Sequence, residues 1–139
     1  MSDWLYPLSS ISKRWFVGET DTSLPALKRR INRVSVDTWY LVTNYRQVAE
    51  DDRVWCYYGH ADGNVGVVAL ATIDKVVHDE ARGEHHVVLR WDKAATRRLL
   101  ARPVPAETVR KFVQRPRAAV WGLDPHPALV RTLRRAAGR

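Results

Sequence analysis

The chain has 139 residues, of which 45% are hydrophobic and 27% charged, with a net charge of +8 and a single cysteine. This balance predicts one globular domain, residues 1–139, and excludes a disordered chain, an internal disulfide and a cysteine-based zinc cluster. The longest apolar run, residues 65–73, is about half as long as a membrane-spanning helix and the N-terminus lacks a signal-peptide pattern, so we expect a cytoplasmic protein with no membrane partner.

Local patterns along the chain predict five strands and four helices. A loose segment is expected at residues 1–10, and residues 64–77 are too long for a usual strand, which predicts a bend or bulge near residues 71–74. Strands are predicted at 13–18, 37–42, 53–58, 64–77 and 84–91, with helices at 23–34, 93–101, 106–114 and 127–137. The fold class is therefore α+β, with five to six strands in a small β-barrel and flanking α-helices.

The strand at residues 53–58 alternates between two sets of side chains. Val54, Cys56 and Tyr58 are predicted on one face, and Trp55 and Tyr57 on the other. Both sets contain aromatic rings, so we expect at least one of them to belong to the core.

Three short segments carry aromatic and polar residues in a characteristic order. They are residues 14–20, residues 39–45 and residues 54–58. In order and spacing they resemble the EVE domain of the PUA-like group, which is related to the YTH and SRA readers of modified bases. The matching residues are Trp15, Glu19, Trp39, Asn44, Tyr45 and Tyr58. Gly18 and Thr20 stand where the family has Ser and Pro, and Gly59-His60 stands where it has His-Ser.

The resemblance implies a PUA-like barrel that acts as a non-catalytic nucleic-acid-binding module. Such a module flips a modified base into an aromatic pocket, and 5-methylcytosine in double-stranded DNA is the ligand we expect. If it binds DNA, the protein is expected to be associated with the nucleoid. The base-pocket residues implied by the resemblance are Glu19, Thr20, Trp39, Asn44, Tyr45, Tyr58 and His60.

Aromatic and polar side chains have different expected roles in this predicted pocket. Trp39 and Tyr58 would stack on or flank the base, a contact worth about 1–3 kcal/mol per base. Glu19, Thr20 and Asn44 would form hydrogen bonds to its polar edge. In the alternative interpretation Asn44 caps a turn and Glu19 pairs with a nearby arginine.

The excess positive charge lies in the C-terminal third. Residues 1–92 hold 11 Lys and Arg against 13 Asp and Glu, whereas residues 93–139 hold 12 Lys and Arg against Glu107 and Asp124. This asymmetry favours a polyanionic partner, with a merely solvated basic surface as the alternative. The predicted phosphate-binding residues are Arg97, Arg98, Arg102, Arg110, Lys111, Arg115 and Arg117.

Catalytic and metal-binding patterns are weak. Cys56 lies in mid-strand, where burial makes a thiol a poor nucleophile, and the five histidines lack ligand spacing. We therefore predict no enzyme, no metal and no cofactor. The resemblance leaves two alternatives, which are a reader of modified RNA of the N6-methyladenine type and an ASCH-like enzyme on RNA or nucleotides with Glu19 or His60 as acid or base.

Overall fold

Six strands and four α-helices occur in the part of the chain that the computed structural model describes, residues 1–11, 16–41, 47–114, 116 and 120–139. The strands are β1 (Asp3–Leu8), β2 (Val36–Tyr40), β3 (Arg53–Tyr58), β4 (Gly66–Asp79), β5 (Glu84–Trp91) and β6 (Trp121–Gly122). The helices are α1 (Leu24–Arg33), α2 (Lys93–Ala101), α3 (Ala106–Arg110) and α4 (Pro127–Ala137).

The strands form one mixed sheet in the order β2-β5-β4-β3-β1-β6. β1 and β3 run parallel, and the other neighbouring strands run antiparallel. Within the described ranges no pairing joins the edge strands β2 and β6, so the sheet is open and the predicted barrel is not closed. The protein is a single-domain α+β fold in which helices cover both faces of this sheet.

The N-terminal residues form a buried strand, so the prediction of a loose segment at residues 1–10 is wrong. All six residues of β1 are buried. Asp3 accepts hydrogen bonds from Arg53 at 2.7 and 3.0 Å and from the Trp55 indole at 2.9 Å, while the Trp4 indole donates to Asp52 at 2.9 Å. These bonds join β1 to β3 and the residue before it, about fifty residues later in the chain. Local sequence patterns cannot reveal a pairing over this separation.

The two faces of the sheet carry separate core layers. One face packs against Ala26, Leu27 and Ile31 of α1, and we call it the α1 face. The other packs against α2, α3 and α4, and we call it the helical face. The predicted alternation of β3 is confirmed, because Val54, Cys56 and Tyr58 lie on the α1 face and Trp55 and Tyr57 on the helical face.

Most predicted elements agree with the structure within a residue or two, but the described part of the strand predicted at 13–18, residues 16–18, forms only an isolated bridge followed by a turn. The register between β4 and β5 shifts between Ile73 and Lys75, which confirms the irregularity expected near residues 71–74. Ser23 caps α1 by accepting from the Ala26 amide, and Asp92 caps α2 in the same way through Ala95. α3 ends at Arg110 and is shorter than the predicted helix at 106–114.

None of the helices in the described ranges could cross a membrane, since each is too short or too polar. The longest of them, α4, has 11 residues.

Three buried titratable groups lie next to each other on the α1 face. Burial is the main cause that raises the pKa of the Cys56 thiol above its ordinary value of 9.0, and the charge of Asp37 adds to the shift. Burial likewise raises the pKa of the Tyr6 and Tyr58 hydroxyls above 10.0, with a smaller contribution from neighbouring Cys56. The prediction that Cys56 belongs to the core is therefore confirmed.

We expect the free energy of unfolding to fall as the pH rises above about 9. The folded pKa values are raised, so the unfolded chain loses these protons first, and the stability present below pH 9 is lost progressively at higher pH. Each group contributes a slope of about 1.4 kcal/mol per pH unit once its unfolded form ionises. Urea denaturation between pH 7 and 11 measures this, and Cys56→Ala should flatten the first part of the decline. An unchanged slope in that variant would contradict the assignment.

Candidate functional site

Parts of the three motif segments meet on the α1 face. Phe16 forms an isolated antiparallel bridge with Trp39, and the Val17 amide donates to the Thr38 carbonyl at 3.3 Å. The Tyr58 hydroxyl donates to the Thr22 carbonyl at 2.9 Å, so the end of β3 lies against the loop that follows the first segment. The structure therefore brings the described parts of the three segments to one region.

An aromatic cluster of Tyr6, Phe16, Trp39 and Trp91 occupies this region. The Trp39 ring is at its centre, with centroid distances of 5.2 Å to Phe16, 5.5 Å to Trp91 and 6.1 Å to Tyr6. Trp39 and Tyr58 are both 0% exposed. Neither ring presents a face to solvent, so the stacking surface predicted for them is not open in this arrangement.

Two indole donors in the aromatic cluster lack partners. Nε1 of Trp39 and Nε1 of Trp91 are buried and have no hydrogen-bond partner among the described residues. Buried donors in folded proteins are nearly always paired, and an unpaired one costs about 1–3 kcal/mol. A bound polar ligand that accepts a hydrogen bond is one explanation for such an unpaired donor.

Arg30 anchors α1 beside the aromatic cluster. Its guanidinium donates to both carboxylate oxygens of Asp37, one at 2.8 Å, and to Glu19 at 2.8 Å, and it lies 4.6 Å above the Phe16 ring. Burial alone would lower the pKa of Arg30, but the hydrogen bonds to Asp37 and Glu19 outweigh it and the net shift is upward. Arg30 therefore stays charged while only 7% exposed.

This role of Arg30 was not predicted from the sequence. One signal was available, since Arg30 follows the buried Leu27 by three residues and precedes Val34 by four, which places it at the edge of the apolar stripe of α1. The carboxylate of Glu19 forms an ion pair with Arg30, as the alternative interpretation expected. The side chain of Glu19 is nevertheless 29% exposed.

The remaining predicted pocket residues are less connected. Thr20 is exposed, and His60 is exposed in a single 3₁₀ turn at His60–Asp62. Asn44 and Tyr45 lie outside the described residues. Across the described part of the chain, no group of three His, Cys, Asp or Glu side chains could hold a metal ion.

The predicted phosphate-binding residues that the structure describes are carried by helices on the opposite side of the sheet. Arg97, Arg98 and Arg102 are exposed on or just after α2, which packs on the helical face. Lys111 is exposed and Arg110 half-buried at the end of α3. Arg115 and Arg117 lie outside the described residues. Trp39 and Tyr58 therefore lie on one face of the sheet, and the helices that carry the described phosphate-binding residues lie on the other.

Among the described members of the phosphate-binding set, Arg110 is linked toward the end of the sheet that holds Tyr58. Its guanidinium donates to the Asn64 side chain at 2.8 Å. Asn64 follows the turn that continues from β3, and Asp62 in that turn accepts from the Ser10 amide at 3.2 Å. Arg110 thus lies near the end of the sheet where Tyr58 is located.

A shallow cleft lies at the other end of β3. Met1, Glu50, Asp51, Arg53 and Thr72 line it. Arg53 pairs with Asp3, and Glu50 and Asp51 are exposed in the cleft.

Comparison with known proteins shows a likeness in fold. No family model and no curated protein matches the sequence. The NMR structure of Rpa0253 from Rhodopseudomonas palustris superimposes with a TM-score of 0.52 at 16% sequence identity, over 96% of this chain and 92% of that chain. At this identity the likeness concerns the fold alone.

Proposed function

We propose that this protein is a non-catalytic nucleic-acid-binding module of the EVE type that reads a modified base, with 5-methylcytosine in double-stranded DNA as its ligand. In this proposal the open sheet is a variant of the PUA-like barrel. The base is bound on the α1 face, where residues 16–20, the end of β2 and the end of β3 meet.

The unpaired indole N–H of Trp39 is the observation that supports the proposal most. It is a buried donor at the centre of the region where the three segments converge, and it has no partner among the described residues. A cytosine edge carries ring nitrogen and carbonyl acceptors that could satisfy such a donor. A ligand with polar acceptors on a flat ring accounts for both the aromatic surroundings and the missing bond.

The burial of the rings changes the roles assigned from sequence. Trp39 and Tyr58 are 0% exposed, so in the proposal they form the wall behind the base and the cover over Trp39 opens when the base enters. Glu19 keeps a partly exposed carboxylate that can accept from the exocyclic amine of cytosine. The +10 charge of residues 93–139 attracts the polyanion at long range.

We expect the protein to bind a duplex with one 5-methylcytosine about fourfold more tightly than the unmodified duplex. A methyl group contributes about 0.8 kcal/mol when it is buried, which sets this modest ratio. Fluorescence anisotropy at fixed salt with the two duplexes, and with N6-methyladenine and unmodified RNA, measures the preference. Equal affinity for all methylated and unmethylated pairs would refute the proposal, and a preference limited to RNA would replace DNA by RNA.

Trp39→Phe tests the role of the indole N–H, with Trp121→Phe as its matched control. It keeps an aromatic ring and removes the unpaired donor, so both DNA duplexes should lose about 0.5–1.5 kcal/mol of binding free energy. The same substitution at the exposed Trp121, which lies on β6 of the sheet, should leave binding unchanged. If Trp39→Phe binds both duplexes as the native protein does, the indole N–H has no part in recognition.

A further inference from the structure

The outer surface of α1 is strongly basic. Four of its ten residues are Lys or Arg and none is Asp or Glu. Arg30 points into the protein, whereas Lys28, Arg29 and Arg33 are exposed. The helix therefore turns one cation inward and three outward.

This basic surface lies on the same side of the sheet as the aromatic cluster. Ala26, Leu27 and Ile31 of α1 belong to the core layer that contains Trp39 and Tyr58. The bonds from Arg30 to Asp37 of β2 and to Glu19 hold the helix against the converging segments. The basic residues of α2 and α3, by contrast, are carried by helices on the helical face.

The outward cations are weakly neutralised. Arg29 pairs with Asp21 at 3.2 Å, but the two side chains are 62% and 53% exposed, and such pairs are screened by water and salt. Lys28 and Arg33 form no ion pair with any described residue. A set of exposed ammonium and guanidinium groups on one helix complements the phosphates of a nucleic-acid backbone.

We infer that Lys28, Arg29 and Arg33 bind the phosphate backbone of the DNA on either side of the base that is read. This inference rests on the proposed function, and it places the nearest phosphate contacts on α1 and not on the C-terminal helices. Contacts of this kind position the duplex and carry no information about the base. They should therefore act equally on modified and unmodified DNA.

The test compares the salt dependence of duplex binding by the native protein and by the triple variant Lys28→Gln, Arg29→Gln, Arg33→Gln. Glutamine preserves helix propensity, so α1 should still form, which circular dichroism checks. Each lost phosphate contact lowers the slope of log affinity against log salt by about 0.9, so we expect a reduction of about 2 to 3. Affinity should fall by the same factor for the 5-methylcytosine and unmodified duplexes.

Two further triple variants of equal charge change complete the test. Replacement of the exposed α4 residues Arg131, Arg134 and Arg135 by glutamine should alter the slope much less, since α4 packs on the helical face. Replacement of Arg97, Arg98 and Arg102 by glutamine tests the competing surface on α2. The inference is overturned if the α1 variant keeps the native slope, or if the α2 or α4 variant lowers it as much.

The outcomes separate this inference from the proposed function. If the native protein shows no preference for a modified base but the α1 variant alone loses slope, base reading fails and the phosphate-binding surface stands. If the preference is present and the α1 variant keeps the native slope, base reading stands and the surface fails. A native protein that binds neither DNA nor RNA would overturn both.

Discussion

Arg30→Ala is expected to lower the free energy of unfolding by about 3–5 kcal/mol, because it removes one member of a buried ion pair. Arg30 is 7% and Asp37 5% exposed, and two hydrogen bonds join the guanidinium of Arg30 to the carboxylate of Asp37. Arg30 also donates a hydrogen bond to Glu19. Removal of the guanidinium leaves the Asp37 carboxylate buried without its cation and removes the contact with Phe16. Urea denaturation followed by tryptophan fluorescence measures the loss.

Arg29→Ala is the matched control for this variant. Arg29 is the preceding residue of the same helix, and its pair with Asp21 is exposed, so we expect a change within about 0.5 kcal/mol. The double variant Arg30→Met, Asp37→Asn should lose less than the sum of its two single changes, because neither member is then left as an unpaired charge. Similar losses from Arg29→Ala and Arg30→Ala would show that the buried pair has no special role.

Trp39→Ala is expected to lower the free energy of unfolding by about 3–5 kcal/mol. The side chain is 0% exposed and contacts Tyr6, Phe16 and Trp91, so truncation leaves a large cavity at the centre of the aromatic cluster. Chemical denaturation gives the value. For this reason Trp39→Ala is unsuitable as a binding variant, and Trp39→Phe replaces it in the test of base recognition.

The exposed Trp121 supplies the comparison for Trp39. It is 36% exposed on the edge strand β6, so Trp121→Ala should cost clearly less stability than Trp39→Ala. A loss below about 1 kcal/mol for Trp39→Ala would indicate that its ring contributes little to the core. The ring would then be available for a direct role in ligand stacking, as the sequence-based hypothesis assigned it.

The candidate site was predicted in part. Trp39, Tyr58 and Glu19 come from segments whose described parts do converge on the α1 face. The sequence could not show that the rings are covered. Their burial depends on Tyr6 from β1, a strand that the sequence-based analysis did not recognise, and on Trp91 from the end of β5.

The division of the basic residues between two faces also escaped prediction. The sequence concentrates positive charge after residue 92, which drew attention to α2 and α3. α2 and α3 cover the face of the sheet opposite the aromatic cluster, whereas the basic residues of α1 lie on the same side as the cluster. Charge counted along the chain says how many cations are present but says nothing about which face of the sheet carries them.

The amino-acid sequence by itself determined β3, β5, α1, α2 and α4, the irregularity in β4 and the burial of Cys56, because each follows from local periodicity, capping and apolar patterning. The tertiary structure alone decided that β1 pairs with β3, that Arg30 pairs with Asp37 and that the sheet remains open. These features depend on contacts between separate elements, such as the bond from Trp4 of β1 to Asp52, 48 residues later, and the bond from Arg30 of α1 to Asp37 of β2. Such contacts contribute to stability only after folding has brought the two elements together.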